Sequence, residues 1–386
     1  MPTFINYGKQ YIDQQDIDEV VAALKSDFLT QGPAVAKFEK AICDYTGAKF
    51  CVAVSSATAA LHIAVTALGV EHGKEGITSP NTFVASSNCL VYNSLKPVFA
   101  DIEKITYNIS PIEIEKKITP DTKIIIPVHF AGRSCNMVKI KDIAEKSKLY
   151  VIEDAAHAIG SNYPDGSKIG NCRYSDMTIF SFHPVKTITT GEGGAITTNN
   201  KDLYNRLLML RSHGITRDPQ LLTKNPGPWY YEMHECGFNY RITDIQAALG
   251  FSQLKKLDAF KKRRNEIIAE YNKAFASLDW IYGPAEDISD SCFHLYVVQM
   301  DFEKLGTSRA TVIEVLRNKN IGTQVHYIPV HTQPYYKKNF GYKWGDCPVA
   351  EEYYSKALSL PLYPGMSNED VKYVINQIKR LEHIHD

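Results

Sequence analysis

Residues 50–70 read FCVAVSSATAALHIAVTALGV. FCVAV is a short apolar run with β-branched valines, the pattern of a strand buried on both faces. From about Thr58 the chain turns to alanine, leucine and isoleucine at helical spacing. The junction Ser55-Ser56-Ala57-Thr58 is therefore a strand-to-helix turn of small residues. Upstream, DIDEVVAALKS (16–26) predicts a helix capped by Asp16, with Val20, Val21 and Leu24 as its apolar stripe. Residues 34–46 repeat that pattern, and Gly47 is a natural stop. Downstream, strands at 76–79, 96–100, 123–129 and 149–153 alternate with helices at 83–92 and 138–146. Such interleaving predicts an α/β sheet with helices on both faces. Functional loops of that architecture gather outside the carboxyl ends of the strands. Residues 55–58, His129, Asp154 and residues 181–186 all fall at such ends.

After residue 200 the character changes. Residues 213–241 are loop-like, aromatic and rich in Gly and Pro. A helix is expected after Thr243, which forms a capping-box pattern with Gln246. It runs, with room for a break, through Leu254 and Leu257 toward Tyr271. A strand at 294–300 and helices at 308–319 and 368–381 follow. The expectation is a large domain over residues 1–250 and a smaller C-terminal α+β domain over 251–386 that includes the linking helix.

Composition narrows the function. The 386 residues carry 43 Lys plus Arg against 43 Asp plus Glu, a balance that argues against broad attraction to nucleic acid. Eight cysteines show no CxxC pair and no zinc-ligand spacing, as in a reducing compartment. No apolar run is long enough to span a bilayer, and the first residues lack a signal-peptide pattern. A soluble, cytoplasmic protein without membrane partners is expected.

The chemistry centres on TIFSFHPVKTITTGEGGAIT (178–197), where two strand-like runs enclose a turn holding Ser181, His183 and Lys186. An arbitrary lysine is a surface lysine. Here His183-Pro184 gives a rigid approach, and Gly191, Gly193 and Gly194 permit close backbone packing. A lysine so held can present an amine to an aldehyde cofactor once a partly desolvated pocket deprotonates it. Pyridoxal phosphate would also need a phosphate cradle, a ring partner and an acid for its pyridine nitrogen. Ala57 and Thr58 open a helix after a strand, which suits a dianion, and Thr58 and Ser181 add hydroxyls; an ordinary N-cap explains the turn as well. Asp154 closes the strand YVIED and is either the pyridine-nitrogen partner or a cap for the next segment. Glu153 points the opposite way. His157 reaches the phenolic oxygen or is a buried structural histidine. Phe83 stacks on the ring or fills the core, and His129 is expected beneath the site. His326 and His331 suggest a sugar or phosphate contact, and only weakly a metal. Trp229, Tyr230, Tyr231 and Phe238 make a lid, an interface or scattered core.

These clusters, in this order, resemble the fold-type I pyridoxal-phosphate aminotransferases, and more narrowly the DegT/DnrJ/EryC1/StrS sugar aminotransferases. The resemblance rests on SSATAALHIA (55–64), SPNTFVASSN (79–88), PVFADIE (97–103), PVHFAG (127–132), VIEDAAHAIG (151–160), SFHPVKTITTGEGGAI (181–196), GFNYRITDIQAALG (237–250) and HYIPVH (326–331). It implies a central, mainly parallel sheet with flanking helices and pyridoxal 5'-phosphate as cofactor. It also implies Lys186 as the cofactor-holding lysine and proton shuttle, and Asp154 as the partner of the pyridine nitrogen. Ala57, Thr58 and Ser181 would hold the phosphate, with Phe83 over the ring and His157 near its phenolic oxygen. Asn239 would reach the phosphate bound by the partner of a homodimer, with Arg241 beside it. His326, Tyr327 and His331 would contact substrate, and no metal is implied. Within the family, residues 29–39, 229–250 and 326–336 are most like the branch that aminates C4 of a UDP-linked 4-keto-6-deoxy-N-acetylaltrose in pseudaminic acid synthesis, with L-glutamate as donor. Another 4-keto sugar, such as a bacillosamine precursor or a 4-keto-pentose, and a cofactor-binding regulator without transfer remain as alternatives.

Overall fold

The computed structural model describes residues 3–284 and 290–383. The expected domain ranges also take in residues 1–2, 285–289 and 384–386, which lie outside the described residues. Seven strands form the main sheet: β1 (Phe50–Val54), β2 (Glu75–Thr78), β3 (Lys96–Phe99), β4 (Thr122–Ile126), β5 (Tyr150–Asp154), β6 (Met177–Ser181) and β7 (Gly194–Thr198). Their order is β1-β7-β6-β5-β4-β2-β3. The pairs β2–β3, β2–β4, β4–β5 and β5–β6 are parallel, and β7 runs antiparallel to both neighbours. The α/β sheet read from the alternation is therefore present, and it is mainly parallel, as the resemblance implies, with one reversed strand.

Strand periodicity explains why both faces are covered. Successive side chains point to opposite faces. Val52, Val54, Ile124, Ile126, Ile152, Ile179 and Ile196 belong to one apolar cluster. Ala53, Ile125, Val151, Phe180 and Ala195, the intervening residues, belong to another. A strand apolar at every position can only sit between two helix layers. A third cluster lies around the antiparallel sheet formed by Ile281–Tyr282, Tyr296–Met300 and Ala357–Leu360, with the helix Leu257–Phe275 packed on it. Ile5 joins this cluster and pairs with Ile321. The first residues thus pack against the C-terminal part of the chain.

Local chemistry sets the helix ends. The helix Pro33–Thr46 has proline in its first turn and stops at Gly47 in the left-handed conformation, φ 84°. Thr243 and Gln246 cap Asp244–Leu254 reciprocally. The expected break before Tyr271 is present, because a new helix begins at Leu257. The first helix differs from expectation. It spans Gln14–Leu24, and its cap is Asp13, with Asp16 completing the capping box from the third helical position. Two aspartates at that spacing satisfy more N–H groups than either alone. Among the described residues, no helix is long and apolar enough to cross a membrane.

Candidate active site

The carboxyl ends of β1, β5 and β6 converge on a cavity of about 640 Å³. Ala57, Thr58, Phe83, Asp154, His157, Ser181, Lys186, His326 and Tyr327 line it together. Asn239, Arg241 and His331 do not line it.

At one end lies the start of the helix Ala57–Leu68. Ala57 and Thr58 are its first two residues, so their N–H groups have no intrahelical acceptor. The Ser56 cap is used on the N–H of Ala59. Two donors, the helix dipole and the hydroxyls of Thr58 and Ser181 therefore face one space, which suits a phosphate dianion. Gly194 makes this turn possible. A Cβ there would lie 2.6 Å from the Ala57 nitrogen and from the Ser56 carbonyl carbon. Gly194→Ala is accordingly expected to displace the turn and weaken cofactor binding by about tenfold or more. Fluorescence titration of the cofactor-free enzyme measures this.

At the other end stands Asp154, only 4% exposed. Its Oδ2 accepts a hydrogen bond from Ser86 Oγ (2.6 Å), and its Oδ1 accepts from the N–H of Ala156 (3.1 Å). The second contact is the cap foreseen for this residue. The first fixes the carboxylate at the cavity wall, where it can accept a proton-bearing ring nitrogen. Nothing along the chain singles out Ser86, since the serine is one of several in SPNTFVASSN.

Lys186 lies between these ends. Burial lowers its pKa to about 8, against an opposing pull from Asp154. Roughly a quarter of such amines are neutral at pH 7.5, compared with about one in a thousand for an ordinary lysine. Only the neutral amine attacks an aldehyde. The rate of cofactor uptake by the cofactor-free enzyme is thus expected to rise with pH through about 8 and level off above it. Stopped-flow absorbance across a pH series reads this out.

Imidazoles and phenols make the remaining wall. His157 and His294 rings lie 4.7 Å apart, and Tyr7 and His326 rings 5.5 Å apart. Burial, and then the Lys186 charge, push His157 and His294 well below the usual histidine range and His326 to about 3. Three neutral rings beside a lysine leave its amine without a competing cation. His157 holds the N–H of Ala131 on Nδ1 (3.3 Å) and the Tyr327 hydroxyl on Nε2 (3.1 Å). Ala131 adopts φ 56°, which costs a non-glycine residue about 1 kcal/mol. His294 and Tyr7 were not foreseen. Each reaches the cavity through tertiary packing from a segment with no motif of its own.

Other expectations need correction. His129 is fully buried off the cavity, with Nε2 2.7 Å from Glu153 Oε2. Burial raises the Glu153 carboxyl, but hydrogen bonds from His129, Ser175 and Tyr163 outweigh it and hold the group below its ordinary range. This closed network supports β5 from behind, on the face opposite Asp154. His331 is also fully buried and faces Glu351, 2.8 Å away, so it does not contact a ligand in the cavity. His326 is held by Ser359 Oγ at 2.7 Å. No group of His, Cys, Asp or Glu among the described residues is arranged to hold a metal. Phe83 is 60% exposed at the cavity edge, so it is no core residue. Trp229 and Tyr231 are likewise exposed. Asn239 is exposed, and Arg241 donates to Ser212 Oγ (3.0 Å). Their segment runs beside the phosphate turn, because Ser55 N–H donates to Tyr240 O (2.8 Å) and Arg241 pairs with Val54.

Comparison with known proteins agrees with this geometry. The chain is 44% identical over 378 residues to the spore coat polysaccharide biosynthesis protein SpsC of Bacillus subtilis, covering 97% of this chain and 96% of that protein. It is 39% identical over 374 residues to the UDP-4-amino-4,6-dideoxy-N-acetyl-beta-L-altrosamine transaminase of Campylobacter jejuni, covering 96% and 95%. Among solved structures, Helicobacter pylori PseC, an aminotransferase of pseudaminic acid biosynthesis, superposes with a TM-score of 0.92 at 31% identity, covering 99% of this chain and 100% of that one. The pyridoxal-phosphate form of the putative sugar aminotransferase Spr1654 of Streptococcus pneumoniae gives 0.90 at 30% identity, covering 99% of each chain. The fold is thus that of the fold-type I aminotransferases, and pyridoxal phosphate is the cofactor. With its family model matched over residues 10–379, the chain belongs to the DegT/DnrJ/EryC1/StrS aminotransferase family.

Proposed function

We propose that this sugar aminotransferase moves the amino group of L-glutamate to C4 of a UDP-linked 4-keto-6-deoxy-N-acetylhexosamine, giving the 4-amino-4,6-dideoxy-N-acetyl-β-L-altrosamine nucleotide. The observation that carries the reading is the convergence of Lys186, Asp154 and the Ala57–Thr58 helix start on one cavity. The altrosamine transaminase relative supports the choice of sugar. Bound pyridoxal phosphate supplies an aldehyde for amines and an electron sink for the carbanion. The protein does the rest. Ala57, Thr58 and Ser181 anchor the phosphate, and Asp154 keeps the ring nitrogen protonated. Lys186 Nζ takes the proton released at Cα of the amino donor and returns it at the neighbouring reacting carbon. The buried walls exclude water while the proton is in transit.

The assembly belongs to the same proposal. We take the enzyme to be a cytoplasmic homodimer in which Asn239, exposed in the single chain, reaches the partner's phosphate site. Within each chain we divide the domains at residue 250. The greater similarity to the spore coat polysaccharide protein favours, as a second reading, transfer to a different 4-keto sugar. Product analysis by NMR with competing UDP-4-keto sugars tests both. Amination of the altrose-configured ketone is expected. Its refusal, with turnover of another ketone, rejects the assignment in favour of the second reading.

A further inference from the structure

Tyr327 does not belong to the phosphate end or to the lysine, yet it lines the same cavity. The direction of its hydroxyl as a hydrogen-bond donor is decided 170 residues away in sequence, at His157. The buried N–H of Ala131 points at His157 Nδ1, 3.3 Å away. A backbone N–H can only donate. Nδ1 must therefore be the unprotonated nitrogen of the ring. Burial and the nearby Lys186 charge keep that ring neutral, so its single proton sits on Nε2. Nε2–H then donates to Tyr327 Oη at 3.1 Å. With the proton on Nε2, His157 does not take the Tyr327 hydroxyl proton, which remains for another partner.

The backbone is shaped to make this arrangement. Ala131 and Gly132 both lie in the left-handed region, at φ 56° and 101°. A Cβ on Gly132 would fall 2.4 Å from the Cys292 carbonyl oxygen, so the turn is packed with no room for a side chain. Ala131 O accepts from the N–H of His294 (3.0 Å), and Ser161 Oγ donates to Gly132 O (2.7 Å). The turn is thus held on both sides, with the Ala131 N–H aimed at the imidazole. A left-handed non-glycine residue maintained directly behind a wall residue of the site is the kind of strain that serves function.

We propose that the turn at Ala131 fixes the tautomer of His157 and so makes Tyr327 an obligatory hydrogen-bond donor to an oxygen of the cavity's occupant. That oxygen is either the phenolic oxygen of the cofactor or an oxygen of the keto sugar. This inference rests on the cavity being the aminotransferase site.

The test begins with the tautomer. Long-range 1H–15N spectra of the full-length enzyme labelled with 15N-histidine, with His157 assigned by its loss in His157→Gln, are expected to show the proton on Nε2. They should show the same in Tyr327→Phe, because the lock is Ala131, and in Ala131→Gly, which keeps the N–H. A proton on Nδ1 overturns the inference. The acceptor is then identified with Tyr327→Phe. If it is the phenolic oxygen, the visible absorption maximum of the cofactor-loaded enzyme shifts without any substrate. If it is a sugar oxygen, the spectrum is unchanged and KM for the keto sugar rises about tenfold, while the glutamate half-reaction is unaffected. No change in either overturns the donor role. The tautomer measurement needs no bound cofactor, so it stands apart from a failure of the enzyme to take up pyridoxal phosphate.

Discussion

Lys186→Ala is expected to lower kcat/KM by about 10⁴-fold or more and to remove the visible absorption of the cofactor-loaded enzyme. Two functions are lost together. The cofactor loses its covalent tether, and the proton at the donor's Cα loses its acceptor. His157, His294 and His326 are neutral, but His157 and His326 are held by Tyr327, Ala131 and Ser359, and all three are sunk in the wall. The nearby His183 is exposed at the cavity mouth. Single-turnover mixing with glutamate measures the effect. A variant that kept turnover within tenfold of the wild type would place the proton transfer on another residue. Fold stability should change little, since Lys186 sits in a turn at the cavity and not in an apolar cluster.

The second large effect is expected at Asp154. Asp154→Asn keeps the volume and an acceptor for the Ser86 hydroxyl. It removes the negative charge that, on the proposed reading, holds a proton on the ring nitrogen. The electron sink weakens, and kcat should fall by about 10³-fold, equivalent to about 4 kcal/mol in the barrier. KM for glutamate should move far less, because the lost interaction strengthens as charge develops in the reaction. Ser86→Ala should give a milder form of the same defect, since it frees the carboxylate without neutralising it. Steady-state kinetics of the three proteins separates these cases. A larger loss in Ser86→Ala than in Asp154→Asn would contradict the assigned roles.

Much of the site was legible along the chain because its parts are local. A strand ending in small residues and followed by an alanine-rich helix specifies a helix start, and Ala57 and Thr58 at that start line the cavity. Asp154 and Ser181 are strand ends, and strand ends of a parallel sheet share one edge. Lys186 sits in a turn whose glycines are required, as the contact of Gly194 with the Ser56–Ala57 backbone makes plain. The partners of the two histidines His129 and His331 were not legible for a physical reason. A histidine at a strand end or beside a proline looks the same in sequence whether it meets a ligand or a buried carboxylate. Glu153 and Glu351 answer that question, and they lie 24 and 20 residues away.

Local sequence is enough for the alternation of strands and helices, for the caps at Thr243 and Gly47, and for placing a lysine, an aspartate and a helix start at strand ends. These depend on propensity, period and neighbouring residues. Long-range packing was needed for the strand order with its reversed β7, the hold of Ser86 on Asp154, and the chain from Ala131 through His157 to Tyr327. These depend on contacts between segments far apart in the chain. Hydrogen bonds and close packing form only at the correct separation and angle, and that geometry exists only after the helices and sheets have packed.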